Sequence, residues 1–266
     1  MNLMKRLPSW RHFATGLLGA ALLSLNIHAP AADLPSTPPP SSVTEFPADA
    51  AFPGQGPIRK QDWFRNLWIE RRTQWWNQRA EDHGAVVFLG DSITQGWGTL
   101  AQDFPDLKVA NRGISGDQTR GVLFRLQTDV LDLDPAAIVL LIGTNDLEDG
   151  GEPETIAANV GAILDACRKD HPRLPLVVCK VMPSHESKKR PAEKIRKINE
   201  LVDKLVVGRP HVVRCDTWSI FADGQGNARE AEFPDLLHPN AAGYAKWAAA
   251  LRPVFAKLNL GANRVR

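Results

Sequence analysis

From residue 85 onward the chain alternates short, wholly apolar runs with longer segments whose apolar residues recur every three or four positions. The first pattern suits strands buried on both faces, and the second suits helices that cover them, so the order predicts repeated βα units around a parallel sheet. Strands are expected over residues 85–89, 107–110, 136–142, 174–181 and 212–215. Ile156, Val160, Ile163, Leu164 and Cys167 share one helical face, as do Ile195, Ile198, Val202, Leu205 and Val206. A last helix is expected over about residues 240–258, with Tyr244, Ala248, Leu251 and Phe255 turned inward and Pro253 bending it. Together these elements predict a doubly wound α/β domain. Its ligands would sit at the carboxyl ends of the strands, near the point where strand order reverses.

Upstream the pattern changes. Residues 60–83 read as a polar helix with Trp63, Phe64, Leu67, Trp68 and Trp75 near one face, ended by Gly84; the aromatic stripe is expected to pack on the domain rather than to line a ligand groove. Residues 32–59 are rich in Pro, Ser and Ala without periodicity, and are expected to be a flexible linker. Residues 1–31 combine a basic start (Lys5, Arg6, Arg11), an apolar run over 13–27 and a small-residue end at Ala29 and Ala31, the layout of a secretory signal peptide. That run falls short of the ~20 residues needed to span a bilayer. The expectation is therefore export to the periplasm or beyond, no stable membrane insertion after cleavage, one folded domain over 60–260 and a tail over 261–266.

Charge adds an exclusion. The chain carries 32 basic and 30 acidic side chains, and Lys5, Arg6 and Arg11 are the only charged ones in residues 1–31, so removing that segment leaves 29 against 30. A near-neutral domain lacks the clustered cations that nucleic-acid binding requires, and no nucleic acid is expected as a partner. The basic run Lys188, Lys189, Arg190 is read as a solvated loop. Cys167, Cys179 and Cys215 are odd in number and sit in apolar segments, so neither a disulfide framework nor metal spacing is legible; they read as core residues, with Cys179 and Cys215 at similar places on two expected strands.

The loops after the first three strands hold the candidate chemistry. The first reads Gly90, Asp91, Ser92 and puts a hydroxyl on a sharp strand-to-helix turn, where helix-start N–H groups favour negative charge. Asp and Ser are also ordinary helix caps, so this turn alone decides nothing. It lacks the lysine and glycine spacing of a phosphate loop. The second loop brings Gly113 and the third brings Asn145, which together with the Ser92 N–H can donate to one oxyanion; a turn glycine and an Asx-turn are the plainer readings of the same residues. Just before the last helix, Asp235 and His238 are three apart, close enough for the carboxylate to hold one imidazole nitrogen and leave the other for a serine proton.

These blocks, Gly-Asp-Ser-Ile-Thr at 90–94, Gly113, Gly-Thr-Asn-Asp at 143–146 and Asp-Leu-Leu-His at 235–238, resemble the SGNH (GDSL-like) hydrolases over about residues 63–258. Within that family, residues 111–120, 122–126 and 238–247 look like the branch of platelet-activating factor acetylhydrolase catalytic subunits and related bacterial acetylesterases. The resemblance implies a three-layer αβα sandwich on a five-stranded parallel, flavodoxin-like sheet, with no metal or cofactor and a preference for short acyl groups. It makes Ser92 the nucleophile, His238 and Asp235 the rest of a triad, and Ser92, Gly113 and Asn145 the oxyanion donors. A small-molecule or carbohydrate ester is the expected substrate; a non-catalytic binding module, an acyltransferase, a thioesterase or a lysophospholipase are the other readings of the same scaffold, and oligomeric state is left open.

Overall fold

The computed structural model describes residues 38–261. The expected leader, the start of the expected linker and the last five residues of the tail lie outside them. Five strands, β1 (Val86–Gly90), β2 (Val109–Gly113), β3 (Ala137–Leu141), β4 (Leu176–Cys179) and β5 (Val212–Cys215), form one sheet in the order β2-β1-β3-β4-β5. All four pairings are parallel. Because β1 lies between β2 and β3, the crevice of the switch point opens above its carboxyl end.

Every residue of β1 and β3 is buried, as a sheet covered on both sides requires. Val87 and Leu89 point into one layer, against the helices Thr119–Asp129, Pro153–Asp170 and Ala192–Val206. Val86 and Phe88 point into the other, against Trp97, Phe104 and the helix Ala241–Lys257. The architecture is thus the expected three-layer α/β sandwich. Pro153 occupies the first turn of its helix, where a missing N–H costs nothing, and Asn240 caps the last helix by accepting from the Gly243 N–H at 3.0 Å. That helix runs on through Pro253 to Lys257.

Strand β2 extends beyond the expected 107–110. Its polar residues Asn111 and Arg112 read as loop from sequence, yet the strand keeps both because each finds a partner. Asn111 Nδ2 donates to the Thr94 carbonyl at 2.7 Å, while the buried Arg112 guanidinium donates to Asp82 at 2.7 Å and to the Asp129 carbonyl at 2.9 Å.

The stretch 38–59, expected to be a linker, is instead packed on the domain. Val43 and Phe52 are buried, and Phe46 and Phe52 join Phe64, Trp68, Ile114 and Phe124 in a third apolar cluster. Composition misled because few apolar residues, widely spaced, suffice to pin an irregular strap to a surface. The following helix, Asp62–Asp82, buries Phe64, Trp68 and Trp75 as expected, but Trp63 is 53% exposed. Arg72, on its buried face, pairs with the buried Asp129 at 2.7 Å.

The three cysteines are buried and free. Cys179 and Cys215 are register partners across β4 and β5. Among the described residues, no helix is long and apolar enough to cross a membrane.

Candidate active site

The turn after β1 is shaped by contact. A Cβ on Gly90 would meet the Leu141 carbonyl and Thr94 Oγ1, each at 2.4 Å, so only glycine lets β1 pass so close to β3. Asp91 follows, wholly buried, and accepts from the Ile93 N–H at 2.9 Å, which starts the short helix Ser92–Gln95. Burial raises the Asp91 carboxyl to about 7. Because Asp91 caps the second amide, that of Ser92 is left without an acceptor among the described residues, at a helix start where anions are favoured.

Far along the chain, residues 233–240 bring the imidazole to this turn. Phe233 is buried edge-on against Phe221 and anchors the loop, while Leu236 adopts a left-handed backbone, φ +63°, and its carbonyl accepts from Ser184 Oγ at 2.8 Å. The reversal folds Asp235 under His238. Asp235 Oδ1 accepts the backbone N–H groups of His238 and Leu237 at 2.7 and 3.0 Å, and Oδ2 lies 2.7 Å from His238 Nδ1. Partial burial works against the charge of Asp235, but these hydrogen bonds outweigh it and hold the carboxyl at about 2. An ionised carboxylate can only accept, so Nδ1 carries the hydrogen and Nε2 faces Ser92 Oγ, 2.9 Å away, as an acceptor.

The third side of the site is the loop after β3. Gly143, at φ +119°, turns the chain into the short helix Thr144–Glu148. Asn145 is buried there; its Nδ2 donates to the Asp117 carbonyl at 3.0 Å and its Oδ1 accepts from Arg190 at 2.9 Å. Asp146 receives Thr119 through both the backbone N–H and the hydroxyl, and burial raises its carboxyl to about 6.

Ser92, His238 and Asp235 are thus brought into one hydrogen-bonded line, with Asn145 held in the wall formed by residues 117–119. Gly113 is not placed as expected. Its N–H is spent on Asn111 Oδ1 at 2.9 Å, and a Cβ there would lie 2.2 Å from the Gln95 amide nitrogen; it is a glycine because β2 passes under the serine turn. Of the two, it is Gly116 whose amide has no acceptor among the described residues; it lies at φ +85°, in a loop tied on one side by Ser115 N–H to Gln95 Oε1 at 2.6 Å and on the other by Asp117 to Asn145. The pair of glycines three apart in 113–116 was the available signal, and nothing in the sequence says which of the two keeps its amide free.

Arg190 is a second correction. It was expected in a solvated loop and is 2% exposed, bonded to the Thr144 carbonyl, Asn145 and Glu148. Arg112 and Asp146, beside the same loops, are buried in structural pairings. Among the described residues no cluster of His, Cys, Asp and Glu is arranged to hold a metal ion.

Residues 88–246 match the model of the GDSL-like lipase/acylhydrolase family, and the chain belongs to that family. It is a carboxylic ester hydrolase. It is 31% identical over 180 residues to the bovine platelet-activating factor acetylhydrolase IB subunit alpha1, covering 65% of this chain and 75% of that protein. To the human alpha2 subunit it is 28% identical over 195 residues, 72% of this chain and 84% of the other. A solved GDSL-like lipase from Bacteroides thetaiotaomicron shares the fold with a TM-score of 0.62 at 23% identity, over 70% of this chain and 97% of that one.

Proposed function

We propose that the protein is a serine esterase that removes short acyl groups, acetyl above all, through a Ser92–His238–Asp235 triad. The observation that carries this reading is the unbroken line Asp235 Oδ2, His238 Nδ1, His238 Nε2, Ser92 Oγ, at 2.7 and 2.9 Å. In it, Nε2 takes the Ser92 proton as Oγ attacks the ester carbonyl, and Asp235 steadies the imidazolium that results. The tetrahedral oxyanion is met by the Ser92 N–H, the Asn145 amide and the Gly116 N–H, donors whose positions are fixed before the charge develops. Collapse expels the alcohol, which leaves with the imidazolium proton. Water then repeats the sequence on the acyl-enzyme.

Acetyl preference is supported by the likeness to proteins named acetylhydrolases. A carbohydrate leaving group is supported by two features: the secretory layout of residues 1–31, which suits a substrate outside the cytoplasm, and the exposed Trp63 ring, which lies against Gly116 and offers a sugar a flat apolar face. The test is a fluorophosphonate probe on purified protein, followed by nitrophenyl esters of rising chain length and acetylated sugars. Label on Ser92, none on Ser92→Ala, and highest turnover on acetyl esters are the expected results. Label on another residue would end the reading.

A further inference from the structure

A carboxamide has an oxygen and a nitrogen of nearly equal size, and only its partners decide which way it faces. For Asn145 to meet an oxyanion, Nδ2 must face the cleft, and a flipped amide would present a repelling carbonyl instead. The partner that imposes the useful orientation comes from outside the serine turn and the histidine loop. Arg190 Nη2, which can only donate, lies 2.9 Å from Asn145 Oδ1, while on the opposite side the Asp117 carbonyl, which can only accept, lies 3.0 Å from Nδ2. The second hydrogen of Nδ2 has no acceptor among the described residues.

We propose that Arg190 is the positioning residue that keeps the Asn145 amide aimed at the oxyanion; this rests on Asn145 acting as an oxyanion donor. The guanidinium is itself immobile. Its Nε donates to the Thr144 carbonyl at 3.0 Å, its Nη1 to the Lys188 carbonyl at 2.6 Å, and its Nη2 also to Glu148 Oε2 at 2.9 Å. Glu148 is held in turn by Arg59 at 2.7 Å. One planar fork therefore grips both the backbone of the Thr144 turn and the side chain that follows it. Lysine, a point donor, cannot hold both. Without the guanidinium, Asn145 Oδ1 loses its donor and the neighbouring Glu148 carboxylate, short of one cation, becomes an acceptor that draws Nδ2 away from the cleft.

The experiment is a double-mutant cycle with nitrophenyl acetate on purified protein, with thermal melts confirming folding. Arg190→Met is expected to lower kcat by roughly the same factor as Asn145→Ala, ~100-fold, with KM changed less than about threefold, as for a group that acts only in the transition state. The double variant is expected to be no slower than Asn145→Ala alone. Arg190→Lys should lose about tenfold in kcat through the broken fork, a loss that disappears in the Asn145→Ala background. Multiplying losses, a change confined to KM, or full kcat in either Arg190 variant would overturn the proposal. If Arg190→Met does not fold, the lysine cycle decides by the same criteria. Full activity of Asn145→Ala would instead remove the oxyanion role on which the proposal stands.

Discussion

The two walls of the cleft are built in opposite ways. On the oxyanion side, Asp117, Gln118, Asn145 and Arg190 are all buried, and each is tied to residues distant in sequence. On the proton-transfer side, Asp235 and His238 keep 46% and 42% of their side chains exposed and are tied mainly to each other within one turn. The difference suits the work proposed for each wall. Donors that stabilise a developing charge are useful only if they need not reorganise, and burial among fixed partners supplies that. An imidazole that takes a proton from one oxygen and gives it to another must adjust between the two steps. A loop anchored by Phe233 but open at its tip allows that.

The contrast can be broken from either side. Asp235→Ala removes the carboxylate of the exposed wall that faces Nδ1 of His238 and leaves that nitrogen without its orienting acceptor; kcat should fall ~10⁴-fold, as for the third member of other triads, while the melting temperature barely moves. A loss of tenfold or less, measured with nitrophenyl acetate, would show that the open loop orients its histidine without help. Arg125→Met tests the buried wall. Arg125 pairs with Asp117 at 2.8 Å, both fully buried, and also donates to the Gly90 and Arg112 carbonyls at 3.1 and 2.9 Å. Stranding Asp117 should cost about 3–5 kcal/mol of stability, or ~10 °C in a domain of this size. A calorimetric shift under about 2 °C would show that the wall is not held by this network.

The smallest effect concerns Asp91 and sharpens the picture of the buried wall by pH. The folded protein holds the Asp91 proton more tightly than the unfolded chain does, because burial lifts the carboxyl from 3.8 to about 7. Its contribution to stability is then full at low pH and falls as pH rises from about 4 to about 7. Asp91→Asn keeps an acceptor for the Ile93 N–H and has no charge to bury, so it should melt roughly 5–10 °C above the parent at pH 8 and level with it near pH 4. Melting curves that stay parallel across that range would count against the shift.

The parts of the molecule that were legible in sequence are those decided by local pattern. The runs 85–89 and 136–142 announced β1 and β3 because strands buried on both faces must be apolar throughout. Asp235 and His238 were legible because a turn of three residues fixes their separation. The residues that were missed depend on partners far along the chain. Arg190 looks like any surface cation until Thr144, Asn145 and Glu148 are brought around it. Gly113 and Gly116 look alike in sequence, and which of them keeps its N–H free is decided by tertiary contact. The strap over 38–59 carries no period because it makes no regular element of any length, and its anchors, Val43 and Phe52, are single residues.

That strap, with the helix that follows, sets where the protein can be shortened. The stretch matching the family model, 88–246, starts inside β1 and stops inside the last helix. A fragment cut to those limits would uncover Ile114 and Phe124 on one flank and Phe88 and Trp97 on the other, and would take Arg72 away from Asp129. A unit that keeps these contacts reaches from about Val43 to Phe255, and expression of the shorter stretch 88–246 is expected to give inclusion bodies rather than a compact enzyme.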